Sequence, residues 1–361
     1  MSLVSLCNII PVPRRMNMGG VGVDLSEVSL RFVKISPKDK GFEVKSFGEY
    51  PIPEGTIVLG RIEKPELLRK VLFTLKKEHN VKFVRSSLPE SLSYLVEVDI
   101  PTVKNNELYE GVELQIEEHV PLSIADVAFD YHYIGLNKNK PGMTTVIVSA
   151  APKSIVQSYQ EVFDSVGITL LSLETDSTAL ARAVIPDGSI ETTMILDLGR
   201  IKTGVYIISR GSVSFVSDID IGGKDILGAI TKKMNITVDE AKELYKNLEQ
   251  NVKPEEEIQK IVFSIFEGLN EEINKHFIFW HTHKDKIGQK NEKIGKIILA
   301  GSGATLFGLQ DYLSAKFHMP IDMANVWGNL FSFEENIPKI SFHESLLFST
   351  AIGLAIYAKG K

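Results

Sequence analysis

Two stretches of the chain, VGVDLSEVSLRFVKI (Val21–Ile35) and MILDLGRIKTGVYII (Met194–Ile208), follow one plan. Each begins as an apolar strand that delivers an aspartate, Asp24 or Asp197, to its tip, then takes a short step into a longer strand. A third strand follows in both places, around Phe42–Phe47 and in SVSFVSDIDIGG after Gly211. A buried strand gains nothing from a lone carboxylate, because an unpaired charge is costly to bury. The repetition therefore points to a duplicated fold whose halves begin alike and face each other across a cleft.

The chain has 361 residues, enough for about two domains or one bilobed one. Its apolar content of 43% and charged content of 24% are those of an ordinary globular protein. A net charge of −6, without long blocks of one sign, argues against nucleic acid as a partner. Cys7 is the single cysteine, so neither an intrachain disulfide nor a cysteine-built metal site is available, and a reducing cytoplasm fits. In residues 1–19 the apolar run precedes Arg14-Arg15, the reverse of a secretory signal, and a disordered leader is expected. The apolar stretch Leu346–Ala358 falls short of the ~20 residues of a membrane span. With Ser349, Thr350 and Gly353 it reads as a buried helix at a close packing contact. His276, His281 and His283 lack a shared helical face and read as polar surface, not as a metal site.

Helical spacing marks Lys64–His79, Asn105–His119 and a long helix over Glu255–Trp280. The expected division is a leader (1–19), a first lobe (20–81), an inserted α+β subdomain (82–172), a linking helix of the first lobe (173–191), a second lobe (192–339) and a C-terminal helix returning to the first lobe (340–361).

Three glycine-bearing or hydroxyl-bearing turns carry the chemistry: Asp24 with Ser26, Asp197 with Gly199 and Thr203, and AGSGA (Ala300–Ala304). Glycine lets backbone amides approach an anion closely, and a concave run of them binds phosphate oxygens. An aspartate beside phosphate is repulsive unless Mg²⁺ or its bound water lies between them. A nucleotide clamped between two lobes satisfies all three turns.

GVGVDLSEVSLRFVKI, LDLGRIKTGVYII and ILAGSGATLFGLQDYL resemble, in that order, the two phosphate motifs and the adenosine motif of the actin-like ATPase superfamily. NNELYEGVELQIEEHVPLSIADVAFDYHYIG and VIVSAAPKSIVQSYQEVFDSVGITLLSLETDSTALARAV are similar to the PilM family of type IV pilus assembly proteins, related to the division protein FtsA. The resemblance spans nearly everything from Gly20 to Tyr357. It implies an α/β, bilobed actin-like fold, a ribonuclease-H-like duplication with the inserted subdomain, binding ATP and Mg²⁺. By position it makes Asp24 and Asp197 the metal-side carboxylates and sets Ser26, Ser29, Gly199 and Thr203 at the phosphates. Gly222, Gly223, Gly301, Ser302, Gly303 and Ala304 complete the nucleotide-binding set, and Glu174 or Asp176 is the candidate for orienting water. It also implies a partner, the N-terminal cytoplasmic tail of a PilN-like membrane protein, held in a groove between insert and first lobe. Membrane contact would then be indirect, the protein cytoplasmic, and self-association is left open.

Departures from the family pattern shape the expected activity. Ser26, Glu27 and Val28 stand where glycine and small hydroxyl residues are usual. Arg200 and Lys202, in place of small polar residues, could offset the lost donors by pairing phosphate directly. In LETDSTAL the order of the two acids is reversed, as Glu174 then Asp176, so binding is better supported than turnover and the chain is at most a slow ATPase. The rivals on the same fold are an FtsA-like membrane-associated filament protein, whose amphipathic anchor has only Ala358–Lys361 here, and a phosphotransferase, whose substrate-side aspartate is not evident in the insert.

Overall fold

The computed structural model describes residues 20–38, 41–102, 108–137, 140–283, 290–331, 334 and 337–356; the leader lies outside them. In chain order the elements are β1 (Val21–Leu25), β2 (Ser29–Pro37), β3 (Phe42–Pro51), β4 (Ile57–Val58), β5 (Arg61–Ile62), α1 (Pro65–His79), β6 (Phe83–Leu88), β7 (Tyr94–Pro101), α2 (Leu108–His119), β8 (Val127–Leu136), β9 (Met143–Pro152), α3 (Lys153–Ser165), β10 (Thr169–Thr175) and α4 (Asp176–Val184). The second half contains β11 (Thr193–Leu198), β12 (Thr203–Ser209), β13 (Ser212–Ile219), α5 (Gly223–Met234), α6 (Val238–Glu249), α7 (Glu256–Thr282), β14 (Lys296–Ala300), α8 (Leu309–Phe317), β15 (Ile321–Met323), α9 (Phe342–Leu346) and α10 (Ser349–Ala355).

Two five-stranded sheets repeat one topology. In the first, with order β10-β6-β1-β2-β3, the β1-β2-β3 meander is antiparallel and β6 and β10 add in parallel. The second, β13-β12-β11-β14-β15, has an antiparallel β11-β12-β13 meander and parallel β14 and β15. The duplication extends to side-chain rows. Asp24 pairs with Arg31 and Arg31 with Glu49; Asp197 pairs with Gly204 and Gly204 with Asp218.

Helices cover these sheets through the apolar faces their spacing predicts. Leu68, Leu72 and Leu75 of α1 are buried, and Pro65 starts the helix where a missing N–H costs nothing. Along α7, Ile258, Ile261, Phe266, Leu269, Ile273 and Trp280 are buried; Ile265 and Phe277 pack at the margin. The histidines at its end are engaged locally: His276 against Phe215, and His281 and the capping His283 through Nδ1 with the carbonyls of Phe277 and Phe279.

Sheet pairing draws the insert more narrowly than 82–172. β6 and β10 fall inside that range yet belong to the first large sheet: β6 pairs in parallel with β1, and β10 in parallel with β6, partners distant in sequence. The separate sheet, β7-β9-β8, covers only Tyr94–Pro152 and buries its own core with Val112 and Ile116 of α2.

α10 packs on α4, β1, β2 and β6 of the first half, and its Ala351, Ile352 and Ala355 share an apolar cluster with the second sheet. Every residue of α10 is buried. Its small residues permit an approach nothing larger allows: a β-carbon on Gly353 would lie 1.8 Å from the Ala179 carbonyl oxygen, and one on Gly22 would lie 2.0 Å from that of Ala351. Val33 and Ile35 of the first sheet share one apolar cluster with the second sheet and α10.

Candidate functional site

The tips of β1 and β11 and the start of α4 bring Asp24, Asp197 and Asp176 into mutual electrostatic range. Burial raises all three carboxyls. Arg31 and a hydrogen bond from Ser87 Oγ to Asp24 Oδ1 (3.2 Å) moderate the rise at Asp24. Asp197 is pushed up to about 6 by burial and then by Asp24, against the pull of Arg31 and Lys202. Asp176 goes well above the usual carboxylate range, through burial and the charges of Asp24, Glu90 and Asp197. Its Oδ1 is buried without a hydrogen-bond partner, as is Oδ1 of Asp218. The Asp24 side chain retains 15% exposure, so this is a cleft floor that solvent still reaches.

Around this floor the turns arrange backbone. Ser26 Oγ accepts from the Ser29 amide (3.1 Å) and donates to the Ser29 carbonyl (3.0 Å), which closes the first turn on itself. In the second, Gly199 N–H donates to the Lys202 carbonyl (3.0 Å), and Thr203 Oγ1 donates to the Ile221 carbonyl (2.7 Å). Gly222 and Gly223 act as braces: Gly223 and Lys224 amides donate to the Gly199 and Arg200 carbonyls, and a β-carbon on Gly222 would strike Ile201 at 2.6 Å. The AGSGA turn lies directly on the β11 tip. A β-carbon on Gly301 would lie 2.5 Å from Asp197 Oδ1, and one on Gly303 would lie 3.0 Å from the Leu198 side chain. Ser302 and Ala304 are buried in a 3₁₀ turn (Ser302–Thr305), and α8 begins only at Leu309, so the expected helix start is displaced from the glycines.

Several expected site residues are placed elsewhere. Glu174 is ion-paired with Arg182, whose guanidinium also donates to the Gly353 carbonyl; it ties β10 to α4 and α10, and Asp176 alone of the two joins the acidic floor. Arg200 and Lys202 already have carboxylate partners, Glu49 (3.4 Å) and Asp218 respectively. The Glu27 carboxylate accepts from the Leu59 amide (2.7 Å) and so turns toward the β4-β5 hairpin.

Other residues at the site escaped the sequence reading. Arg31 reaches toward Asp24 (4.0 Å) and Glu49 (3.2 Å). Glu90 accepts from the Ser177 amide (2.8 Å), while burial and Asp218 raise its carboxyl. The Tyr206 hydroxyl stands where a β-carbon on Gly204 would be, 2.4 Å away, within range of Asp197 and Asp176. Glu249 is pushed up to about 7 by burial, against Arg200 and Arg31. Counting register outward from each hairpin turn would have found Arg31, Glu49 and Asp218.

Among the described residues no three carboxylate, histidine or cysteine groups stand close enough to hold a metal ion directly. A buried acidic floor with an orphaned acceptor nonetheless calls for positive charge. Mg²⁺ that keeps its waters and touches few carboxylates directly would suit such a floor.

A family model described as type IV pilus assembly protein PilM matches residues 22–359. Among solved structures, a PilM-PilN type IV pilus biogenesis complex superimposes with a TM-score of 0.74 at 20% identity, over 95% of this chain and 98% of the other. MreB5 of Spiroplasma citri bound to ADP gives 0.55 at 14% identity, over 96% and 97%. The same protein bound to AMPPNP gives 0.56 at 13% identity, over 95% and 96%. These likenesses establish the actin-like fold with its two mixed sheets, and the family match over nearly the whole length settles membership: the chain belongs to the PilM family of type IV pilus assembly proteins.

Proposed function

We propose that the protein is an ATP-binding scaffold of the type IV pilus inner-membrane platform, cytoplasmic, and attached to the membrane by gripping the N-terminal tail of a PilN-like partner. The convergence of Asp24, Asp176 and Asp197 from two duplicated hairpins and a helix start carries the nucleotide half of this reading. One protein of this fold, MreB5, has been seen with ADP and with AMPPNP, which supports the same site here. Mg²⁺ would supply the charge that lets a triphosphate lie against a carboxylate floor. Asp24 and Asp197 would hold its waters, and the β11-β12 and AGSGA turns would present backbone to phosphate and nucleoside.

Binding is favoured over turnover. Burial and its acidic neighbours raise Asp176 well above the usual carboxylate range, so less of it is ionised to take a proton from water, and Glu174 is committed to Arg182. Nucleotide would act as a brace that shifts the lobe arrangement and, with it, partner affinity.

For the partner half, β8 is an edge strand with Tyr133, Ile134 and Leu136 exposed at 51%, 42% and 65%. An edge of this kind accepts an extended peptide by main-chain bonding, with apolar side chains seated alongside. Among the described residues no helix is long and apolar enough to cross a membrane, in keeping with attachment through a partner. Titrating a fluorescent synthetic tail peptide into the protein, with and without Mg²⁺-AMPPNP, tests both halves. Tail binding that changes with nucleotide is expected; absence of tail binding would remove the scaffold role.

A further inference from the structure

The two charge rows across the sheets differ in where their outer acid finds its cation. In the second lobe Asp218 is neutralised by Lys202 of the same sheet. In the first lobe Glu49 has two cations on one oxygen: Arg31 Nε of its own sheet at 3.2 Å and an Arg200 terminal nitrogen from the opposite lobe at 3.4 Å. Arg31 also extends toward Asp24 at the cleft floor, 4.0 Å away. Two guanidiniums from facing lobes therefore meet at a single anionic oxygen beside the proposed phosphate position. α10 and the shared apolar core also join the lobes, so this contact is a second tie between them.

We propose that Glu49 is a latch that a polyphosphate displaces. Its carboxylate occupies the point where Arg31 and Arg200 would grip phosphate, and ligand takes both cations from it. The inference rests on the nucleotide reading above. Guanidinium pairs with phosphate at least as well as with carboxylate and often in a bidentate fork. The Arg200 side chain is 46% exposed, so water and salt weaken its pair with Glu49 and make exchange easy. Glu249, within electrostatic range of the same two arginines, is a second carboxyl with which the incoming phosphate competes for them.

The test uses full-length protein carrying one spin label in each lobe, as wild type, Glu49→Gln and Arg200→Ala. Without ligand, both variants are expected to show a broader or longer interlobe distance than wild type. With Mg²⁺-AMPPNP, and with inorganic tripolyphosphate as a probe lacking adenosine, Glu49→Gln should bind roughly tenfold tighter, the effect of removing one charge-assisted competitor. Arg200→Ala should bind more weakly. Weaker binding by Glu49→Gln would make Glu49 a support for Arg31 and overturn the latch. Unchanged distances in both ligand-free variants would overturn it as well. A wild type that binds neither probe while its ligand-free distances respond as expected would instead defeat the nucleotide reading and the displacement step, leaving only a strap between lobes.

Discussion

A β-carbon placed on Gly301 would lie 2.5 Å from Oδ1 of Asp197, so the third turn and the second hairpin tip are fitted to each other at backbone distance. Gly301 has φ of +80° and ψ of 177°, a conformation that side-chain-bearing residues avoid. Gly301→Ala is expected to cost about 1–3 kcal/mol in stability. It should also push Asp197 off the cleft floor, weakening Mg²⁺-nucleotide binding by more than the stability loss explains. Urea unfolding and calorimetric titration of the same preparation check both.

The raised carboxyls fix the sign of a pH effect. Asp197 in the folded protein holds its proton up to about 6, above its ordinary value of 3.8, so the folded state binds more protons than the unfolded state between those values. Its contribution to stability is present at low pH and lost as pH rises through 6. Without metal, wild type should therefore melt at a lower temperature at pH 6.5 than at pH 4.5, relative to Asp197→Asn. Mg²⁺-nucleotide affinity should run the other way, rising as pH climbs through 6 and the carboxylate ionises. Thermal melts and titrations across pH 4 to 8 read both slopes.

Glu174 and Asp176 separate cleanly by their partners. Glu174→Gln breaks the pair with Arg182 that anchors β10 to α4 and α10, and should cost about 1–3 kcal/mol while leaving nucleotide affinity nearly unchanged. Asp176→Asn removes a buried acid with an orphaned oxygen, so stability should hold or rise while Mg²⁺ dependence changes. The reverse pattern, measured by denaturation and titration, would exchange their roles.

Gly353 tests the junction at α10. With the Ala179 carbonyl 1.8 Å from any added β-carbon, α10 cannot keep its seat. Gly353→Ala is expected to destabilise by about 3 kcal/mol or more, read from urea midpoints.

The hairpin repeat and the small-residue helix were legible because their signals are local: alternating apolar residues before a turn, and Gly and Ala within an apolar run. The insert boundary was not. β6 and β10 pair in parallel with strands far away in sequence, and nothing within either strand names the partner. Asp24 and Asp197 stood out at strand tips, whereas Glu49 and Asp218 lie on outer strands with ordinary amphipathic patterns. Only the cross-strand register places them in the site. Arg200 and Lys202 were read by charge alone, and their neutralising partners belong to that same hidden register.

The central claim is that the two hairpin tips act on one metal-chelated triphosphate, and a double-mutant cycle tests it most directly. Wild type, Asp24→Asn, Asp197→Asn and the double variant are titrated with AMPPNP, with and without Mg²⁺. Each single variant should lose most of the Mg²⁺-dependent affinity and the double variant little more, because both carboxylates face the same ion. Losses that simply add, or a single variant that binds as wild type does, would contradict a shared site.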